Sequence, residues 1–114
     1  PGEVFDGIEC HHVLEHLLPQ EAERAARNLW RMLRPGGVLE ASVPDLVRCA
    51  QTLISGNLAI LWNIYSPAQE PEQRHRWGYT SATFQELLRG AGFVDLDVLV
   101  PREPHEVLVR ARKE

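Results

Sequence analysis

His11, His12, Glu15 and His16 crowd together near the start of the chain, directly after an apolar run from Val4 to Cys10. Imidazole titrates near neutral pH, so His12 or His16 suits a general base, and these two are the candidate catalytic residues. His12, Glu15 and His16 also spell His-x-x-Glu-His, and on a helical turn these positions share one face. Imidazole, carboxylate and imidazole suit a divalent ion such as zinc. The plainer reading is that Glu15 caps or pairs locally while the histidines line a polar cleft, and no metal is assigned. The order is not His-Glu-x-x-His, so a metalloprotease has little support.

A second group follows much later, in His75-Arg76-Trp77-Gly78-Tyr79. His75, Arg76, Trp77 and Tyr79 are candidate substrate-binding residues, with Arg76 able to pair an acidic group. Glu3, Asp6 and Glu9 do not make a carboxylate site, because a spacing of three alternates faces along a strand. Asp45, after Pro44, reads as a helix cap. Cys10 and Cys49 fall in a predicted strand and a predicted helix, outside any Cys-x-x-Cys. They read as reduced thiols of a cytoplasmic protein.

The elements that must position these groups alternate. Val4–Cys10 is short and apolar, as a strand is. Pro19 fits the first turn of a helix. From Gln20 to Arg34, Ala22, Ala25, Ala26, Leu29, Trp30 and Leu33 trace an amphipathic helix. Arg34-Pro35-Gly36-Gly37 should stop it. Val38–Val43 is the next strand, so the first half reads as βαβ with a parallel pair and a right-handed crossover. Asp45 should cap a helix through Ile54, with Gly56 at its end. Asn57–Tyr65 is apolar enough for a short helix or a cover over the sheet end, and Ser66–Gln73 reads as a loop. Thr80 or Ser81 caps a helix that ends at Gly92. In Phe93–Val100 the residues Val94, Leu96, Val98 and Val100 should share one face, with Asp95 and Asp97 on the other. A turn over Pro101–Pro104 then leads to a last strand, Glu106–Arg112, making an antiparallel hairpin.

The chain has 114 residues, enough for one domain with a modest core. Its net charge of −4 and scattered arginines argue against a nucleic-acid partner bound through a broad basic surface. No apolar run approaches the length of a membrane span, and no signal peptide is visible.

Phe5-Asp6-Gly7-Ile8, His12-Val13-Leu14-Glu15-His16-Leu17, Leu33-Arg34-Pro35-Gly36-Gly37 and Val43-Pro44-Asp45-Leu46 together resemble the second half of a class I S-adenosylmethionine-dependent methyltransferase, of the type 11 group. His75–Tyr79 and Leu87–Phe93 resemble the same group. The resemblance implies an α/β fold with a partial Rossmann-like sheet. Its strand order would be 4-5-7-6, with the last strand antiparallel and helices on both faces. It implies S-adenosylmethionine as cofactor, with Cys10, His11 and His12 beside its methionine end, and a small-molecule acceptor. The family's glycine-rich cofactor loop would lie before Pro1. The chain is therefore expected to be a truncated methyltransferase-like domain, weak or inactive alone. The alternative is a non-enzymatic dimeric assembly or ligand-binding module. Val4–Cys10 would be an unpaired edge, and helices would expose apolar surface. A homodimer through that strand and the Gln20–Arg34 helix is expected.

Overall fold

A computed structural model describes residues 3–114. Strand β1 runs over Phe5–His11, and helix α1 over Pro19–Met32. Pro19 opens α1, where its missing N–H costs nothing, and the Glu21 carboxylate accepts from the Leu18 amide at 3.0 Å. Strand β2 spans Leu33–Pro44, helix α2 Leu46–Ile54, and helix α3 Leu61–Tyr65. Helix α4 (Ser81–Ala91) and strands β3 (Val94–Leu99) and β4 (Glu106–Arg112) complete the chain.

The strands form one sheet in the order β1-β2-β4-β3. β1 and β2 are parallel, and β4 lies antiparallel between β2 and β3, where the resemblance put the last strand. Helices α1 and α4 pack on each other and on one face of the sheet. Leu39, Ala41 and Val43 of β2, Val107, Val109 and Ala111 of β4, and Phe84 and Leu88 of α4 close the core there. Fully burying a side chain such as Phe84, Leu39 or Leu88 stabilises the fold by roughly 1.5–3 kcal/mol. On the opposite face Ser42 and Leu108 are buried as well, and the helical segment from Leu46 to Tyr65 is tied to the chain beyond the strand ends. The Asp45 amide donates to the His105 carbonyl at 2.7 Å, and the Leu46 amide to the Tyr79 carbonyl at 2.8 Å.

Asp45 caps α2 as expected, accepting from the amides of Val47 and Arg48. Thr80 caps α4, and Gly92 ends it at φ 113°. Two expectations change. First, α1 stops at Met32, before Arg34-Pro35-Gly36-Gly37, because Leu33 is already extended and fully buried. Those four residues then loop out of β2 as a bulge, between the pairs Phe5–Leu33 and Gly7–Val38. The Gly36 amide donates to the Lys113 carbonyl, and a Cβ on Gly37 would lie 2.8 Å from the Arg34 carbonyl oxygen. Second, β3 does not alternate cleanly. Asp95 adopts φ 52° at a bulge, which slips the phase. Val94 and Asp97 therefore face the same side, Val98 faces the other at the open edge, and Val100 lies beyond the strand, largely exposed.

Apolar surface is exposed at Val4 and Phe5 and, beyond that edge, on the helical segment. Ile54, Leu58, Trp62 and Tyr65 are its most exposed cluster, around α2 and α3. The sheet face opposite α1 and α4 carries a charged row. Glu9, Glu40, Arg110 and Asp97 stand in register across all four strands, and Arg102 reaches both Glu9 and Glu40.

Candidate functional site

The site lies where β1 ends. His12 leaves the strand with φ 55°, a left-handed conformation that turns the chain sharply into a 3₁₀ turn over Leu14–His16. That turn buries Glu15 to 1% exposure and brings three imidazoles around it. The Glu15 Oε2 atom lies 3.7 Å from His12 Nδ1, 3.8 Å from His16 Nε2 and 3.7 Å from His75 Nε2. Neither Glu15 carboxylate oxygen has a hydrogen-bond partner among the described residues. Burial pushes the Glu15 carboxyl above its ordinary value, opposed in part by its own backbone amide and then by His16 and His12. Burial, reinforced by His16, pushes the His75 imidazole below its ordinary value.

Each ring is fixed by its other nitrogen. His16 Nδ1 donates to the Arg74 carbonyl at 3.1 Å, and His75 Nδ1 to the Ile64 carbonyl at 3.3 Å. His12 Nε2 donates to Glu106 Oε1 at 2.7 Å. The second oxygen of Glu106 accepts from the amides of Arg102 and Glu103, in the β3–β4 turn. His12 and Glu106 stand on the wall of a cavity of ≈ 260 Å³, lined also by Pro44, Trp62, His75 and His105. This is the carboxyl end of the parallel strands, where open α/β sheets bind ligands.

Of the expected substrate residues, only His75 reaches that cavity. Arg76 is exposed, and its amide donates to the Glu15 carbonyl at 2.8 Å. Trp77 and Tyr79 line a separate hollow of ≈ 430 Å³ between α1 and α4. Tyr79 is buried against Phe84, and burial, with Glu15 and Glu23 near, holds its hydroxyl at about 12. Of the three residues expected near a cofactor, Cys10 packs against the core, and burial raises its thiol. His11 is turned to the charged face, with Nδ1 on Ser42 Oγ and Nε2 on Glu9. Only His12 faces the cavity. Glu106 was missed, because 94 residues separate it from His12. The hairpin expected at Pro101–Pro104 was the sole signal that could have brought it close.

The family model of a methyltransferase domain matches residues 1–98. The chain belongs to this methyltransferase family. Its fold is that of a class I methyltransferase domain, with a mixed α/β sheet of Rossmann-like type. The solved structure of SibL, an S-adenosylmethionine-dependent methyltransferase in its apo form, matches 99% of this chain with a TM-score of 0.71 and 19% identity. PigF with S-adenosylhomocysteine matches 100% of it, at a TM-score of 0.69 and 17% identity. Human N-acetylserotonin methyltransferase in complex with S-adenosylmethionine matches 95%, at 0.64 and 19%. The methyltransferase domain described here spans 32%, 32% and 29% of those chains, about a third of their length. No curated relative matches it. No helix among the described residues is long and apolar enough to cross a membrane.

Proposed function

We propose that this chain is the acceptor side of an S-adenosylmethionine-dependent methyltransferase acting on a small molecule, and that it is weak or inactive alone. The observation that carries the reading is the His12–Glu106 pair on the wall of the strand-end cavity. Glu106 holds the ring through Nε2, which leaves Nδ1, 3.7 Å from Glu15 Oε2, as the nitrogen that takes the acceptor's proton. His16 does not line the cavity, so His12 carries this role by itself. Methyl transfer to a good nucleophile needs mainly positioning, which the fixed ring and the aromatic wall of Trp62 supply.

The described residues do not fit the cofactor by themselves. At the end of β1 they offer a packed thiol, a histidine turned away and a histidine at positive φ, with no glycine to admit a ligand against the backbone. No step is therefore routed through it. The test is calorimetric titration of the chain with S-adenosylhomocysteine, alongside ligand-observed NMR with small phenols and heteroaromatic amines. The expected result is no saturable heat with the cofactor product, and acceptor binding that His12→Ala abolishes. A micromolar cofactor affinity, roughly −8 kcal/mol, would overturn the inactive-alone reading. Acceptor binding unchanged in His12→Ala would overturn the site.

A second reading is favoured by the sheet edge. Val4 and Phe5 are about half exposed, and β1 pairs with β2 on one side only. A homodimer through β1 and α1 would cover them, in a cytoplasmic setting that suits two free thiols.

A further inference from the structure

The arrangement around Glu15 has an imbalance that the acceptor site does not use. His16 and His75 each spend the N–H of the neutral ring on a backbone carbonyl. Their remaining nitrogens, both Nε2, are then lone-pair acceptors, and both lie within 3.8 Å of a carboxylate oxygen. With Glu15 ionised and both rings neutral, Oε2 and the two Nε2 atoms are all acceptors, with no donor between them. A buried carboxylate without partners costs free energy until something positive joins it. The three atoms lie within 4.8 Å of one another.

We propose that Glu15, His16 and His75 form a binding site for a borderline divalent cation of the zinc class, reached from the strand-end cavity through His75. Two imidazoles and one carboxylate are the donors such ions prefer, while calcium and magnesium want more oxygens than this site offers. Ligand atoms around a tetrahedral zinc stand about 3.3 Å apart, so each imidazole must move about half an ångström toward the carboxylate, and the two imidazoles up to about 1.5 Å toward each other. The two Nδ1–H bonds to backbone carbonyls are the supports that metal-bound histidines characteristically have. They set the tautomer and aim the rings before any ion arrives. Three protein ligands leave a coordination position open, and His75 places it beside the cavity. The site stands whether or not the chain transfers methyl groups.

Another group, Glu9, His11 and Glu40, could also collect an ion on the charged sheet face, and it serves as the control. The full chain is stripped with chelator and titrated with cobalt(II), and the visible absorption of the metal is followed. Zinc is then added as competitor, and folding of every variant is checked by circular dichroism. The expected result is one cobalt per chain, displaced by one zinc. The band should be lost in Glu15→Gln and in His75→Gln but kept in His11→Ala. If Glu15→Gln does not fold, His75→Gln decides. Folded protein that gives no band at stoichiometric cobalt would overturn the proposal. So would a band that survives His75→Gln, or one that disappears in His11→Ala.

Discussion

Glu106 accepts three hydrogen bonds, one from the His12 ring and two from the amides of Arg102 and Glu103. Burial raises its carboxyl, but the two amides and His12 outweigh that, so it titrates below the ordinary 4.5. A depressed folded value gives stability that is present above the unfolded value and fades as pH falls through the folded one. Glu106→Gln is thus expected to cost about 1 kcal/mol near neutral pH. The loss should begin to shrink as pH falls below the ordinary carboxylate value of 4.5 and vanish once it is below the depressed folded value, where wild-type Glu106 is itself protonated. Urea midpoints of both proteins across that range check it. Lys113 is a second residue that its exposed-sounding chemistry conceals. It is 4% exposed, donates to the Leu33 carbonyl at 2.8 Å and to Glu3 at 3.1 Å, and lies 4.1 Å from the centre of the Trp30 ring. Lys113→Ala leaves that carbonyl without its donor and is expected to cost about 1–3 kcal/mol, read from the same midpoints.

At the level of elements, short-range signals were enough to place α2, α4 and β4. Asp45, Thr80 and Gly92 act through the backbone within a few residues, and such signals are written locally. Asp45→Ala should remove the cap on Val47 and Arg48 and cost about 1 kcal/mol in thermal or urea unfolding. Gly92→Ala should cost more than about 1 kcal/mol, because φ is 113° and the new Cβ would meet the Trp30 ring at 3.0 Å. A variant as stable as the parent would show that α1 can yield at this contact. Signals carried by pairing between strands were not legible. Gly36 and Gly37 read as a helix stop, yet they shape a bulge set by the Lys113 backbone at the far end of the chain. Asp95 reads as one step of an alternation, yet its positive φ inserts an extra residue opposite β4. The site divides in the same way. His12, Glu15 and His16 are neighbours in sequence, and their clustering was readable. His75 and Glu106 arrive from distant segments, and the fold alone brings them in.

For the whole molecule, the proposed homodimer makes a plain forecast. Light scattering on the eluting peak, at tens of micromolar chain, should return twice 12.9 kDa. A single 12.9 kDa species would remove the dimer reading and leave the acceptor-site reading standing. The charged row Glu9, Glu40, Arg110 and Asp97 bears on how any such partner arrives. Covering that face would strip water from carboxylates and guanidinium groups that are already hydrated and partly paired with one another. The row acts as a wet wall, and approach along the sheet normal is uphill. Approach in the plane of the sheet at the β1 edge meets a strand paired on one side and the half-exposed side chains of Val4 and Phe5. The proposed dimer thus has a direction: it would lengthen the sheet from β1 rather than stack two sheets through the charged row.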